Sequence, residues 1–400
     1  MIVIGGGAAG FFAAINLAKR EPATLVVLLE KSNKLLSKVK ISGGGRCNVT
    51  HHCFDNRELV NHYPRGRKEL LQVFSKFSVQ DTIHWFKSEG IALHTEADGR
   101  MFPSTNSSQT IIDCFLQLAE KLRIKVITSC EVNRIEQHGN TFELKTSLGT
   151  YSCDSVICAL GGHPNPQTYQ LLKDLGHTVI APLPSLFTIN LPEEKIKKEL
   201  QGISVQNAGI QLAGTKIKYN GPLLITHWGL SGPAVLKLSA FAAEEFHRLN
   251  YQATIQVNWA YPHSLQETEE VLKSWQKEKP KTFPANYPMF DLPKRLWEFL
   301  CHESGIPPSK PWAEIGMVYL RKLASMVHNS TFAMKGKTTF KEEFVTCGGI
   351  HLKEIDFKTM ESKVVKGLYF CGEVLNIDGV TGGFNFQNAW STAWICAQNA

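Results

Sequence analysis

The chain has 400 residues, 43% of them apolar and 20% charged, enough for two or three domains with a sizeable core. Its 43 basic and 36 acidic residues leave a net charge of +7, mild over this length. The densest charge runs, Glu193 to Glu199 and Lys277 to Lys281, mix signs or include proline, so they read as solvated faces rather than a nucleic-acid footprint. No stretch approaches the roughly 18 apolar residues of a membrane span.

Ile2-Val3-Ile4 is a β-branched run suited to a buried strand, and it leaves no room for a secretory leader. Gly5, Gly7 and Gly10 then satisfy G-x-G-x-x-G, followed by a helix from Phe11 to Lys19. The glycines allow a tight turn, close approach to a pyrophosphate and close helix-on-strand packing. The helix start, with Ala8 and Ala9, offers free N–H donors and a positive dipole end. Leu25 to Leu29 forms a second strand ending at Glu30, with Lys31 beside it. Glu30 lies 20 residues after Gly10, where a carboxylate accepts from a ribose hydroxyl. Together these features predict dinucleotide binding.

Ser42-Gly43-Gly44-Gly45-Arg46-Cys47-Asn48 is next, a flexible, donor-rich loop suited to lie against a flavin ring. His51, His52, Cys53 and His62 have no ligand spacing and read as exposed loop residues; no metal is expected. A helical period spans Lys68 to Glu89. Asp98 to Ser104 reads as a turn, in which Arg100 is a candidate anion- or substrate-binding group, with an exposed arginine as the competing reading. A helix capped by Ser107 or Ser108 follows, to Leu122. Strands are then expected at Lys125 to Ile127, Glu131 to Glu136, Thr141 to Thr146 and Tyr151 to Leu160. The backbone of Val132 is a candidate adenine contact, and Ala159, Gly161 and Gly162 form another close-approach turn. Cys153 and Cys158 have a redox-disulfide spacing, yet an odd separation within one strand puts them on opposite faces. Ten cysteines without paired spacing suit a reducing cytoplasm.

From Leu186 the pattern changes. Residues 186–262 alternate short β-like runs with turns, and Ser231 is a candidate cap for an apolar helix to Phe246. His227, in the glycine-rich loop before that helix, is the candidate general acid or base, although a lone histidine is more often structural. Residues 263–328 are polar and helix-like, with no chemical motif. Near the C-terminus, Gly367 to Glu373 is a strand ending at an acid. Gly379, Gly382, Gly383, Phe384 and Asn385 form a glycine-rich turn into a closing helix. There Gly372 and Glu373 would meet the ribitol, and the helix would aim its N–H groups at the flavin N1/C2=O edge.

In order, Gly5 to Gly10, Ser42 to Asn48, Asp98 to Pro103, Pro182 to Leu186, Thr226 to Pro233, Thr346 to Ile350 and Gly372 to Asn385 resemble the BaiN-type, or aminoacetone-oxidase-type, bacterial FAD-dependent oxidoreductases. The resemblance implies an α/β, Rossmann-like FAD-binding domain (parallel sheet with helices) with an inserted β-rich subdomain and a helical cap. Its expected segments are 1–185 plus 344–400, 186–262 plus 329–343, and 263–328. It also implies tightly bound FAD, with the ADP half at the first glycine turn and Glu30, and the flavin half at the Arg46 loop and the C-terminal segment. NAD(P)H is a candidate transient donor, although a second complete fingerprint is missing. A small-molecule substrate is expected, with neither nucleic acid nor membrane as partner. The rival readings are an FAD-dependent RNA-modifying or RNA-binding protein, which the +7 charge permits, and a non-catalytic flavin-binding protein.

Overall fold

Five three-residue strands pair in parallel in the order 125–127, 27–29, 2–4, 156–158, 368–370. Four of them are wholly buried, which is why they read as unbroken apolar runs rather than alternating ones. Two antiparallel strands, Glu361–Ser362 and Ile355–Asp356, extend the sheet beyond 368–370. The computed structural model describes residues 1–338 and 345–400. These fall into two units: Met1–Ser185 with Lys341–Ala400, and Leu186–Phe340. The expected boundary at 343/344 lies outside the described residues.

In the first unit the strand order reverses at Ile2–Ile4, whose neighbours are 27–29 on one side and 156–158 on the other. Ligands of open α/β sheets bind beyond the C-terminal strand ends at such a switch point. The first helix, Ala8–Arg20, and the C-terminal helix, Phe384–Asn399, pack against each other. Both are buried around most of their circumference, so neither has a clear polar face. Phe12 holds them together, 4.5 Å from the Trp85 ring and 5.3 Å from that of Trp390.

Three expectations change here. The helical period over 68–89 is two helices, Arg67–Phe74 and Val79–Ser88, separated where Ser78 and Asp81 form a reciprocal capping box. The 98–104 turn contains a strand, Arg100–Pro103, paired with Leu93–Thr95 and Thr50–His51. The expected strand 151–160 breaks at Asp154-Ser155 into Gly149–Cys153 and Val156–Cys158, which belong to different sheets. No disulfide is formed among the described residues.

Among the described residues the second unit pairs seven strands, four of which are Ser330–Lys335, Gln252–Asn258, Ser204–Leu212 and Lys218–Ile225, in that order. The helices Leu265–Glu278, Lys294–Glu303 and Met317–His328 share one core with this sheet through Leu272, Trp297, Leu320, Val257 and Trp259. Ser231 does not cap its helix. Gly232, at φ +95°, takes that place, and the Ser231 hydroxyl lies 3.1 Å from that of Thr188. Among the described residues no helix is long and apolar enough to cross a membrane.

Candidate functional site

The three fingerprint glycines meet three different surroundings. A Cβ on Gly5, at φ +111°, would sit 2.2 Å from Ala159 O, and one on Gly10 would sit 1.9 Å from Gly5 O. One on Gly7 would meet no protein atom within 4 Å. Gly5 and Gly10 thus close strand on turn and helix on strand, whereas Gly7 borders open space. Gly7 also caps the first helix without a side-chain cap, so the amides of Ala8, Ala9 and Gly10 have no intrahelical acceptor. That is an anion site ready for a pyrophosphate. Glu30 is fixed at its strand end because its carboxylate accepts from Gly6 N (2.7 Å) and Ser32 N (2.8 Å). Lys31 is exposed beside it, and Val132 is buried at the start of Val132–His138, paired with Thr146.

The second group is the Ser42–Asn48 loop. Gly43, Gly44 and Gly45 all take positive φ, as does Cys47 at φ +62°, a conformation that costs a non-glycine residue energy and clusters at functional loops. Burial pushes the Cys47 thiol up to about 12, so it is a packing group and not a thiolate. Arg46 lies over the Phe102 ring at 3.9 Å and pairs with Glu96 at 2.5 Å. Arg100 shares Glu96 (3.1 Å) and also takes Asp98 (2.7 Å). Both arginines are therefore clamped by carboxylates. Asn48 is a tie between segments: its amide nitrogen donates to Thr50 O (3.0 Å) and its oxygen accepts from Gly383 N (3.1 Å).

That tie leads to the third group. Glu373 Oε2 accepts from Lys38 Nζ (2.6 Å) and from Gly162 N (3.4 Å), joining the three segments that follow strands 27–29, 156–158 and 368–370. Gly372 donates to the Thr392 hydroxyl at 2.9 Å, and Gly379 and Asn385 exchange hydrogen bonds of 2.7 and 2.9 Å. A Cβ on Gly383 would lie 2.5 Å from the Thr50 carbonyl, so the C-terminal helix starts hard against the Asn48 segment. Gly382 lies before it, with its carbonyl 3.0 Å from His51 Nδ1. The Phe384 ring is buried and packs against both His51 (4.6 Å) and His62 (4.2 Å), so only its backbone is available to a ligand. These two histidines are half-buried packing partners, not the exposed loop residues expected.

Some site residues were missed. Thr346 Oγ1 and both polar atoms of Asn388 are buried with no hydrogen-bond partner among the described residues. Thr346 borders Gly162, whose Cβ would come 3.3 Å from it, and Asn388 lies one turn before Thr392. The available signal was a polar set, Gln387, Asn388, Ser391 and Thr392, in an otherwise apolar helix. His163, after Gly162, accepts at Nδ1 from Asn165 N (3.1 Å), and burial, with Lys31 and Lys38 nearby, holds its pKa below the usual histidine value. Orphaned polar atoms, an uncapped helix start and open space over Gly7 and Gly161 fit an elongated ligand rich in phosphate, hydroxyl and amide-like groups. FAD is such a ligand. His227 is not among these residues. It belongs to the second unit, exposed in the turn before Gly229–Ser231, with its ring 4.8 Å from that of Trp228.

The chain matches the family model of the HI0933-like protein Rossmann domain over residues 1–399, and it belongs to that family. A Haemophilus influenzae protein named ribosomal RNA dihydrouridine synthase is 33% identical, covering 99% of this chain and 97% of its own. The 3-dehydro-bile acid delta(4,6)-reductase of Clostridium scindens is 23% identical, covering 100% and 98%. A 3-ketosteroid-delta4-(5alpha)-dehydrogenase structure from Rhodococcus jostii shares the fold, with a TM-score of 0.50 at 12% identity, covering 99% and 96%. The resemblance carried by the motif blocks therefore holds: the protein is a flavin-dependent oxidoreductase of Rossmann type.

Proposed function

We propose that the protein reduces a carbon–carbon double bond conjugated to a carbonyl, and that its substrate is a uracil ring in ribosomal RNA. The observation that carries this reading is the 33% identity, along nearly the whole of both chains, to a protein named for making dihydrouridine. Dihydrouridine is uridine with one hydride and one proton added across C5=C6. The name of the bile-acid reductase describes hydrogen added across ring double bonds near a ketone, the same reaction type on another skeleton. This proposal replaces the expectation of a small-molecule substrate, and the +7 charge is compatible with it. A cytoplasmic location follows from that substrate and suits ten cysteines that form no disulfide among the described residues.

When bound, FAD supplies the hydride chemistry. The chain's own residues hold and polarise it. Ala8, Ala9 and Gly10 offer amides to the phosphates, and Glu30 offers a carboxylate to the ribose. Asn388 and Thr346 offer unspent polar atoms, and the first turn of the C-terminal helix offers amides where negative charge gathers on reduction. NAD(P)H is the proposed donor, and His163 a proposed proton-transfer group.

The test is to incubate the enzyme, NAD(P)H and unmodified ribosomal RNA, digest the RNA to nucleosides and measure dihydrouridine by mass spectrometry. The expected result is dihydrouridine that requires both enzyme and donor. No dihydrouridine, with turnover of a 3-keto-Δ4 steroid instead, would favour a small-molecule enone, the second reading supported by the bile-acid relative. Stopped-flow mixing with NADH and NADPH that leaves the flavin oxidised would remove the donor proposal.

A further inference from the structure

The sheet of the second unit carries a pocket of about 380 Å³ that the flavin cradle does not use. Strand register builds its floor. Along Ser204–Leu212, Ile210 and Leu212 turn into the core, so Gly209 and Gln211 turn to the other face. Gln211 stands opposite Gln256 on one neighbouring strand and Lys218 on the other, and Gly209 stands opposite Asn258 and Asn220. One sheet face therefore presents four side-chain amides and an ammonium around a glycine. Tyr261 leans over that glycine: a Cβ on Gly209 would lie 3.1 Å from its ring, which is 40% exposed.

The hydrogen bonds already made show what is left for a ligand. Asn258 is spent on His263 O (2.9 Å) and Ala260 N (3.0 Å), and it shapes the wall. His263 Nδ1 lies 2.8 Å from Ala260 O, and His328 Nδ1 lies 3.1 Å from His263 O. Each ring must donate from Nδ1, which leaves Nε2 an acceptor in the neutral form. The Gln256 and Asn220 amides make no hydrogen bond among the described residues. Among the described residues no carboxylate lines the pocket. Uncharged donors and acceptors, an accessible aromatic face and one ammonium match a planar heterocycle carrying a phosphate. They suit a cationic or purely apolar ligand poorly.

We infer that this pocket holds one unpaired nucleotide of an RNA, its base stacked on Tyr261 and its edge read by Gln256. Lys218 meets the phosphate. Single-stranded RNA is read in this way, by stacking on aromatic side chains with hydrogen bonds to base edges. The inference rests on the RNA-reductase reading above and adds a second contact to it, outside the flavin cradle.

The test is fluorescence anisotropy of a labelled single-stranded ribosomal RNA fragment over a salt series, with the flavin-loaded wild type, Tyr261→Ala, Gln256→Ala and Lys218→Ala. Flavin content and melting temperature serve as fold controls. Tyr261→Ala is expected to weaken binding about tenfold with an unchanged salt slope. Lys218→Ala is expected to lower the slope of log K against log salt by about 0.7. If the wild type binds and all three variants bind equally well, the pocket inference is overturned while the RNA reading stands. If the wild type does not bind even at low salt, the RNA reading falls and takes the pocket with it.

Discussion

Gly7→Ala separates the cofactor's needs from the fold's. Gly7 has φ −94° and ψ −168°, a conformation alanine adopts freely, and the added Cβ meets no protein atom within 4 Å. Without FAD, a gain of about 0.4–1 kcal/mol from restricting the unfolded chain is offset by a loss of similar size, because alanine is a poorer N-cap than glycine, so apoprotein stability should change by less than about 1 kcal/mol. With FAD, the methyl stands where the pyrophosphate must approach. Forcing an extra methyl into a packed contact costs about 1–3 kcal/mol, or roughly 5- to 150-fold in the FAD dissociation constant. Gly10→Ala is the contrast: its Cβ would lie 1.9 Å from Gly5 O, so the same penalty falls on the fold whether or not FAD is present. The assay is thermal unfolding of deflavinated protein with and without FAD, alongside FAD titration followed by flavin fluorescence. Wild-type FAD affinity in Gly7→Ala would refute the assignment of the phosphate site. A loss of apoprotein stability equal to that of Gly10→Ala would refute the steric reasoning.

Glu30→Lys should lower the flavin-to-protein ratio after dialysis without changing the ratio of rates on alternative substrates, and full flavin retention would contradict the ribose assignment. Asp378 is fully buried and takes a bidentate pair from Arg65 plus the Ser185 hydroxyl (2.9 Å), so Asp378→Ala should destabilise by about 3–5 kcal/mol in urea unfolding. The joint change Arg65→Met with Asp378→Leu should recover most of that loss. His177 is buried between Glu354 (3.2 Å) and Ser362 (3.1 Å), and burial holds its pKa below the usual 6.5. The unfolded chain then binds the proton first, so stability should fall as pH drops below about 6.5. In His177→Gln that part of the pH dependence should vanish, as read by urea unfolding from about pH 7.5 to pH 5.

The ADP half of the cofactor site was legible because its physics is local. A buried β-branched strand, three glycines and a helix start occupy Ile2 to Gly10, and Glu30 closes the next strand, so spacing alone carries the geometry. The same locality shows in Leu265–Glu278, whose start is capped reciprocally by Ser264 and Glu267. The flavin half was legible as glycine-rich segments but not in its wiring. Arg46 was expected to face the flavin, yet Glu96, 50 residues on, holds it. Asn48 reaches Gly383, and Lys38 reaches Glu373, 335 residues away. No local pattern encodes a partner at that distance. Thr346 and Asn388 went unseen for a related reason. An unpaired polar atom is ordinary on an exposed residue and informative only when buried, and burial is a property of the packed chain. The composition and motifs of this protein thus named the kind of cofactor. Which side chains remain unspent to hold it depends on contacts between segments far apart in the chain, which exist only once the two ends of the chain meet.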